Sequence, residues 1–146
     1  MRKSAIFAAY AVLTLPLQAE PNRVTFPPLE QLEHYTTVTR GDVTEHMLTS
    51  RAAIEAVKRG EPIPFGTHVV LVDHRGGQVY RYFVMQNGEG WGADDPEGRT
   101  ADWQFQWFWP DRSINMDETT SRCQSCHQSR ADREYLFTYN DLRRFE

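Results

Sequence analysis

Cys123-Gln124-Ser125-Cys126-His127 is the stretch of this chain whose residue types and spacing can do chemistry at close range. Positions three and four apart share one side of a helix, so a helix here would turn two thiols and an imidazole toward one object. Two thiols with a two-residue spacer can each add across a vinyl group of one haem to form thioethers. The adjacent histidine then reaches the iron from the same face, and this order is the attachment pattern for c-type haem. The motif therefore predicts one covalent haem c, with Cys123 and Cys126 as attachment points and His127 as axial ligand and metal-binding residue.

The same residues have other readings. Structural zinc needs four ligands, and no second Cys or Cys/His pair stands at a suitable spacing. A thioredoxin-like redox pair follows a strand in a βαβ unit, whereas this pair lies near the C-terminal end. A plain disulfide between the two thiols is the alternative that the spacing leaves open.

The start of the chain bears on that choice. Met1-Arg2-Lys3 is basic, Ala5 to Leu13 is apolar, and Leu15 to Ala19 ends on a small residue. Basic, apolar and small-residue regions in that order predict a secretory signal peptide over residues 1–19, cleaved near Ala19. The apolar run is shorter than the roughly 20 residues that span a bilayer, so no membrane segment is expected after cleavage. A mature chain from Glu20 to Glu146 has the size of one domain. Without Arg2 and Lys3 it carries 14 basic residues (16 − 2) against 20 acidic, a net charge of −6. Nothing basic is clustered, which excludes a nucleic-acid partner on electrostatic grounds. Both cysteines belong to one motif, so no disulfide framework is expected even in an exported protein.

The elements that must position the motif can be read in outline. Glu20 to Pro28 is an extended lead-in, and Asp42 to Leu48 is a weakly patterned strand. Ser50 is an N-cap for a helix over Arg51 to Arg59, with basic residues in its last turn and Gly60 just beyond. Thr67 to Asp73 is a β-branched run that reads as a central strand, His74 to Gly77 turns the chain, and Gln78 to Met85 returns it as a hairpin. Asn87 to Ala101 is a glycine-rich loop. Trp103, Phe105, Trp107 and Trp109 alternate with Asp102, Gln104 and Gln106, the period of a half-buried strand. Thr119 to Arg130 begins a short helix carrying the motif, followed by a polar tail. The expected class is α+β: a mainly antiparallel sheet with a few helices, the haem-bearing one near the C-terminus.

Taken in order, these segments resemble the cytochrome P-460 family, which includes the beta-sheet cytochromes c-prime. The resemblance rests on Phe26-Pro27, Thr44-Glu45, Pro64-Phe65-Gly66-Thr67, Trp103-Gln104-Phe105, Phe108-Trp109-Pro110-Asp111, Cys123 to His127, Asp132 and Phe137-Thr138. It implies a periplasmic bacterial protein, usually a homodimer, whose haem is five-coordinate and meets small nitrogen species. Some members oxidise hydroxylamine and others bind nitric oxide. Members that oxidise hydroxylamine cross-link a lysine to the haem ring, from the strand after the Gly-Thr corner. Counting from Gly66, the matching position is Leu71, which makes Leu71 a cofactor-contacting residue without a nucleophilic nitrogen. The mature chain's only lysine is Lys58.

The sixth iron position separates the functional readings. Met47, Met85 and Met116 offer thioethers; His34, His46, His68 and His74 offer imidazoles. Each also reads as structural: Met85 as core, Met116 as a loop residue, His68 as a satisfied strand histidine, His74 as part of the turn. Glu45 offers a carboxylate for proton movement, or reads as an exposed strand carboxylate that needs no role. The leading expectation is a periplasmic monohaem cytochrome binding or converting a small nitrogen oxide, as an oxidoreductase on hydroxylamine or nitric oxide if it is an enzyme. An electron carrier for a periplasmic redox partner is the alternative, its acidic surface meeting a basic patch.

Overall fold

The computed structural model describes residues 22–146. The signal segment expected over residues 1–19 lies outside the described residues, as do Glu20 and Pro21. Five strands form one antiparallel sheet in sequence order: β1 Glu33–Arg40, β2 Val43–Thr49, β3 His68–Arg75, β4 Gln78–Asn87 and β5 Trp103–Phe108. Three α-helices among the described residues join it: α1 Arg51–Arg59, α2 Ser121–His127 and α3 Tyr139–Arg144. The α+β class expected from the sequence is the observed one. Among the described residues no helix is long and apolar enough to cross a membrane.

Local chemistry explains the best-read elements. The Ser50 hydroxyl accepts from the Ala53 amide at 3.2 Å and starts α1. Gly60, at φ +70°, ends it in the left-handed conformation, with Glu61 N donating to Ala56 O at 2.9 Å. Gly76 and Gly77 both have positive φ, as a two-residue turn between right-twisted strands requires. The turn is tighter than expected from the sequence, since His74 and Arg75 belong to β3.

Period-two alternation gives the sheet two chemically different sides. On the first, Met47, Leu71, Phe83 and Trp107 stand opposite one another across β2 to β5, beside the row Thr49, Val69, Met85 and Phe105. Ile54 and Val57 of α1 and Leu136 and Leu142 from the C-terminal segment bury the second of these rows. On the other side, Val70, Val72, Tyr82, Val84 and Phe108 pack under Val24, Phe26, Leu29 and Leu32.

Three expectations need correction. β5 is buried on both faces, because the 22–24 segment and the 91–94 turn cover its glutamine side. Gln104 donates to Asp94 Oδ2 at 2.7 Å and accepts from the Arg23 amide at 3.1 Å. The C-terminal stretch is no polar tail: it carries α3, and Leu142 is 0 % exposed. Glu45 is not an exposed carboxylate; its side chain is 13 % exposed and paired with Arg40 across the β1–β2 hairpin.

Candidate haem site

Helix α2 carries Cys123, Cys126 and His127 in its seven residues. Cys123 N and Gln124 N donate to Thr120 O at 3.0 and 3.2 Å, opening the helix two residues before the first thiol. Cys123 is half-buried against the first side of the sheet, and the Trp107 indole N–H donates to its Sγ at 3.4 Å. Burial pushes the Cys123 thiol pKa up, against the opposing pull of that indole contact. Cys126 is exposed, so an external group can reach it.

His127 is the most constrained group. Its Nδ1 donates to the Tyr135 carbonyl at 2.6 Å, which fixes the tautomer and leaves Nε2 as a lone-pair donor. Glu134 and Tyr135 both adopt positive φ, at 52° and 60°, and this paired left-handed bend turns the carbonyl toward the ring. Phe105 and Phe137 flank the imidazole with centroids at 4.8 and 5.0 Å. Burial lowers the His127 pKa, only partly offset by the Tyr135 carbonyl, and favours the neutral, ligating form.

The wall beside this helix is apolar. Leu71, in the central strand, is only half-buried at the margin of the core cluster against which Cys123 also packs. Phe83 is half-buried beside it and meets Trp107 edge-on at 4.4 Å. One row further along stand Asp73 and Arg81, bonded at 2.9 Å, with Arg75 also at 3.3 Å from the same oxygen. The Arg81 guanidinium lies 4.5 Å from the ring centroids of both Phe83 and Trp107. Two thiols, a fixed imidazole with a free Nε2 and a flat aromatic–aliphatic wall fit the donor set and surface that a haem c requires. Cys123, Cys126 and His127 would hold the group and Leu71 would lie against it.

The sheet also sorts the sixth-ligand candidates. His34, His46, His68 and His74 project from the side opposite Leu71 and Trp107, as strand parity dictates. His68 is satisfied by Thr25 Oγ1 at 3.1 Å. Met85 is core, Met116 is exposed in the loop before α2, and Met47 alone of the three methionines is a buried neighbour of Leu71 across the pairing. Tyr135, Phe137 and Arg81 were not anticipated as parts of the site. Phe137 belongs to the ordered segments of the resemblance, but nothing local marked the carbonyl of Tyr135. A separate cleft of about 380 Å³ lies between Pro64, Phe65, Trp103 and Tyr135 and contains neither cysteine nor His127.

Among curated proteins, none matches this chain. A family model described as Cytochrome P460 matches residues 29–138, from the turn before β1 to the residue before α3. That span takes in all five strands, Leu71, the Arg81 pair and the whole Cys123–His127 motif, so the chain belongs to the cytochrome P460 family and is a haem-binding cytochrome.

Proposed function

We propose that this chain is a periplasmic monohaem c-type cytochrome, tethered by thioethers from Cys123 and Cys126 and ligated by His127, that binds small nitrogen oxides, nitric oxide foremost. The observation that carries the reading is the asymmetry of the site. One histidine has its ring fixed by the Tyr135 carbonyl and its Nε2 free, while every other described histidine lies across the sheet. Haem iron with a single histidine ligand supplies an open position for a diatomic molecule. The chain's residues favour that class of ligand. Leu71 and Phe83 offer an apolar wall, where a charged or strongly solvated ligand would lose its hydration without a partner. Trp107 and Phe105 hold Cys123 and His127 in place from the rigid sheet rather than from a loop. Export is supported by the residue pattern of 1–19.

A hydroxylamine oxidase with a lysine-tethered haem is disfavoured. Leu71 carries no amine, and Lys58 lies on α1 with its Nζ 3.7 Å from Glu55 Oε1 on the helix surface. The electron-carrier reading keeps one specific support, Met47, whose thioether is on the Leu71 side.

The test is a set of visible spectra of ferric and ferrous protein purified after export, with peptide mass spectrometry. The reading expects haem that acid-acetone does not extract, a five-coordinate high-spin iron, and uptake of nitric oxide by the reduced protein. It also expects no lysine-to-porphyrin bond in any peptide. Extractable haem, or a Cys123→Ala/Cys126→Ala double variant whose haem still resists extraction, would overturn the attachment. A low-spin spectrum with a thioether-to-iron band that disappears in Met47→Ala would replace nitrogen-oxide binding with electron transfer.

A further inference from the structure

The side of the sheet away from Cys123 carries an unassigned imidazole pair. His34 on β1 is exposed, and His46 on β2 is half-buried beside it, the rings crossing at 78° with centroids 5.0 Å apart. His34 Nε2 and His46 Nδ1 are 3.3 Å apart. Each also contacts Thr37 Oγ1, at 2.8 and 2.9 Å. Hydrogen bonds to imidazole nitrogen run along its in-plane lone-pair or N–H direction. Two rings that share one hydroxyl therefore aim their nitrogens at one point.

We propose that His34 and His46 form a binding site for a divalent transition-metal ion, zinc(II) foremost, with solvent completing the coordination. Two zinc–nitrogen bonds of roughly 2.05 Å closing on the 3.3 Å edge would meet at about 107°, near the tetrahedral angle zinc adopts. Imidazole must be neutral to ligate, and burial, then the neighbouring imidazoles of His74 and His34, lower the His46 pKa from its usual 6.5. Among the described residues no three His, Cys, Asp or Glu side chains converge as a metal-holding group, which makes this a two-residue, solvent-accessible site rather than a closed structural one. Thr37 sits where the two nitrogens point, so its hydroxyl competes with the ion. The site is independent of the nitrogen-oxide reading, because the sheet separates it from His127.

The test is zinc(II) titration of the full haem-loaded protein, without a histidine tag, against a zinc-chelating dye. One equivalent should bind. His34→Ala and His46→Ala should each weaken binding at least about tenfold, as loss of a ligand requires. Thr37→Val should bind at least as tightly as the wild type. His68→Gln, on the same side but bonded to Thr25, should stay within about twofold, the scatter expected of a site with no shared partner. Circular dichroism would verify that each variant is folded, and the visible spectrum should not change with zinc. Wild-type zinc affinity in the His34→Ala/His46→Ala double variant, or no binding at about 1 mM zinc, the weak end of specific affinity, would overturn the proposal.

Discussion

Replacing Arg81 with leucine tests whether the polar margin of the apolar wall is held by one ion pair. Asp73 is 1 % exposed, and its Oδ1 has no hydrogen-bond partner. Its Oδ2 takes Arg81 Nε at 2.9 Å and the more exposed Arg75 at 3.3 Å. Removing one partner from a buried pair costs roughly 3–5 kcal/mol, because the remaining charge stays desolvated. The Arg75 contact, nearer water, would recover about 1 kcal/mol at most. Stacking of the guanidinium on Phe83 and Trp107 is lost as well, at about 0.5–1 kcal/mol for each ring. Arg81→Leu should therefore destabilise the protein by about 3–6 kcal/mol, a fall in Tm of roughly 10–20 °C at this chain length. Urea unfolding of the purified protein reads it directly. Asp73→Asn in the same background removes the stranded charge and should restore about 2 kcal/mol of the loss. A cost below about 1 kcal/mol for Arg81→Leu, or no recovery in the double variant, would show that the carboxylate is held by something other than this arginine.

Other consequences can be checked with the same preparations. Leu142→Ala should cost about 3 kcal/mol by urea unfolding, since Leu142 is fully buried between α3 and the sheet. Ser50→Ala should cost about 1 kcal/mol, the usual worth of an N-cap bond, with Ser50→Asp retaining most of it. The buried Tyr35 hydroxyl, bonded to Thr138 at 2.7 Å, has its pKa raised above 10 chiefly by burial. The folded state then holds the proton that the unfolded state releases, so stability is full below pH 10 and falls as pH rises beyond it. Tm measured between pH 9 and about 11.5 should show the fall, and Tyr35→Phe should flatten it.

The legible parts of this chain were those whose signal is local. A cap serine and a terminal glycine bracket α1, two adjacent glycines close the β3–β4 hairpin, and the haem motif is contiguous. The parts missed depend on distant partners. β1 reads Glu-His-Tyr-Thr-Thr-Val-Thr-Arg, with no clean alternation, because an irregularity at Tyr35 interrupts its period. Missing β1 hid Arg40, and without Arg40 the half-buried Glu45 looked like a surface carboxylate. Gln104 and Gln106 look like a solvent face until residues 22–24, some eighty positions earlier, fold over them. Helix α3 is too short for a periodic signal, and its burial rests on Leu142. The site divides the same way: Cys123, Cys126 and His127 are visible as a string, whereas the carbonyl that orients His127 comes from a backbone bend with no residue signature.

Two extra residues, both tyrosines, set which side of the sheet each functional group occupies. Beyond the Gly76-Gly77 turn, Arg75 pairs with Gln78 and His74 with Val79, but Asp73 pairs with Arg81, so Tyr80 is inserted. Without that insertion Asp73 would face Tyr80, and Val72 would face Arg81. Arg81, Phe83 and Met85 would then turn away from the Cys123 side, because a one-residue slip exchanges the two faces of a strand. The same device operates at the other edge. His34 pairs with Leu48 and Thr36 with Met47, which leaves Tyr35 as the inserted residue. If the Thr36–Met47 register ran on unbroken, His34 would stand opposite Thr49 on the Cys123 side. The bulge instead delivers it to His46, and frees the Tyr35 ring for the core beneath α3. Each bulge leaves one residue out of the pairing ladder. What it gains is phase: the Asp73–Arg81 pair beside the apolar wall in one case, the His34–His46 pair in the other.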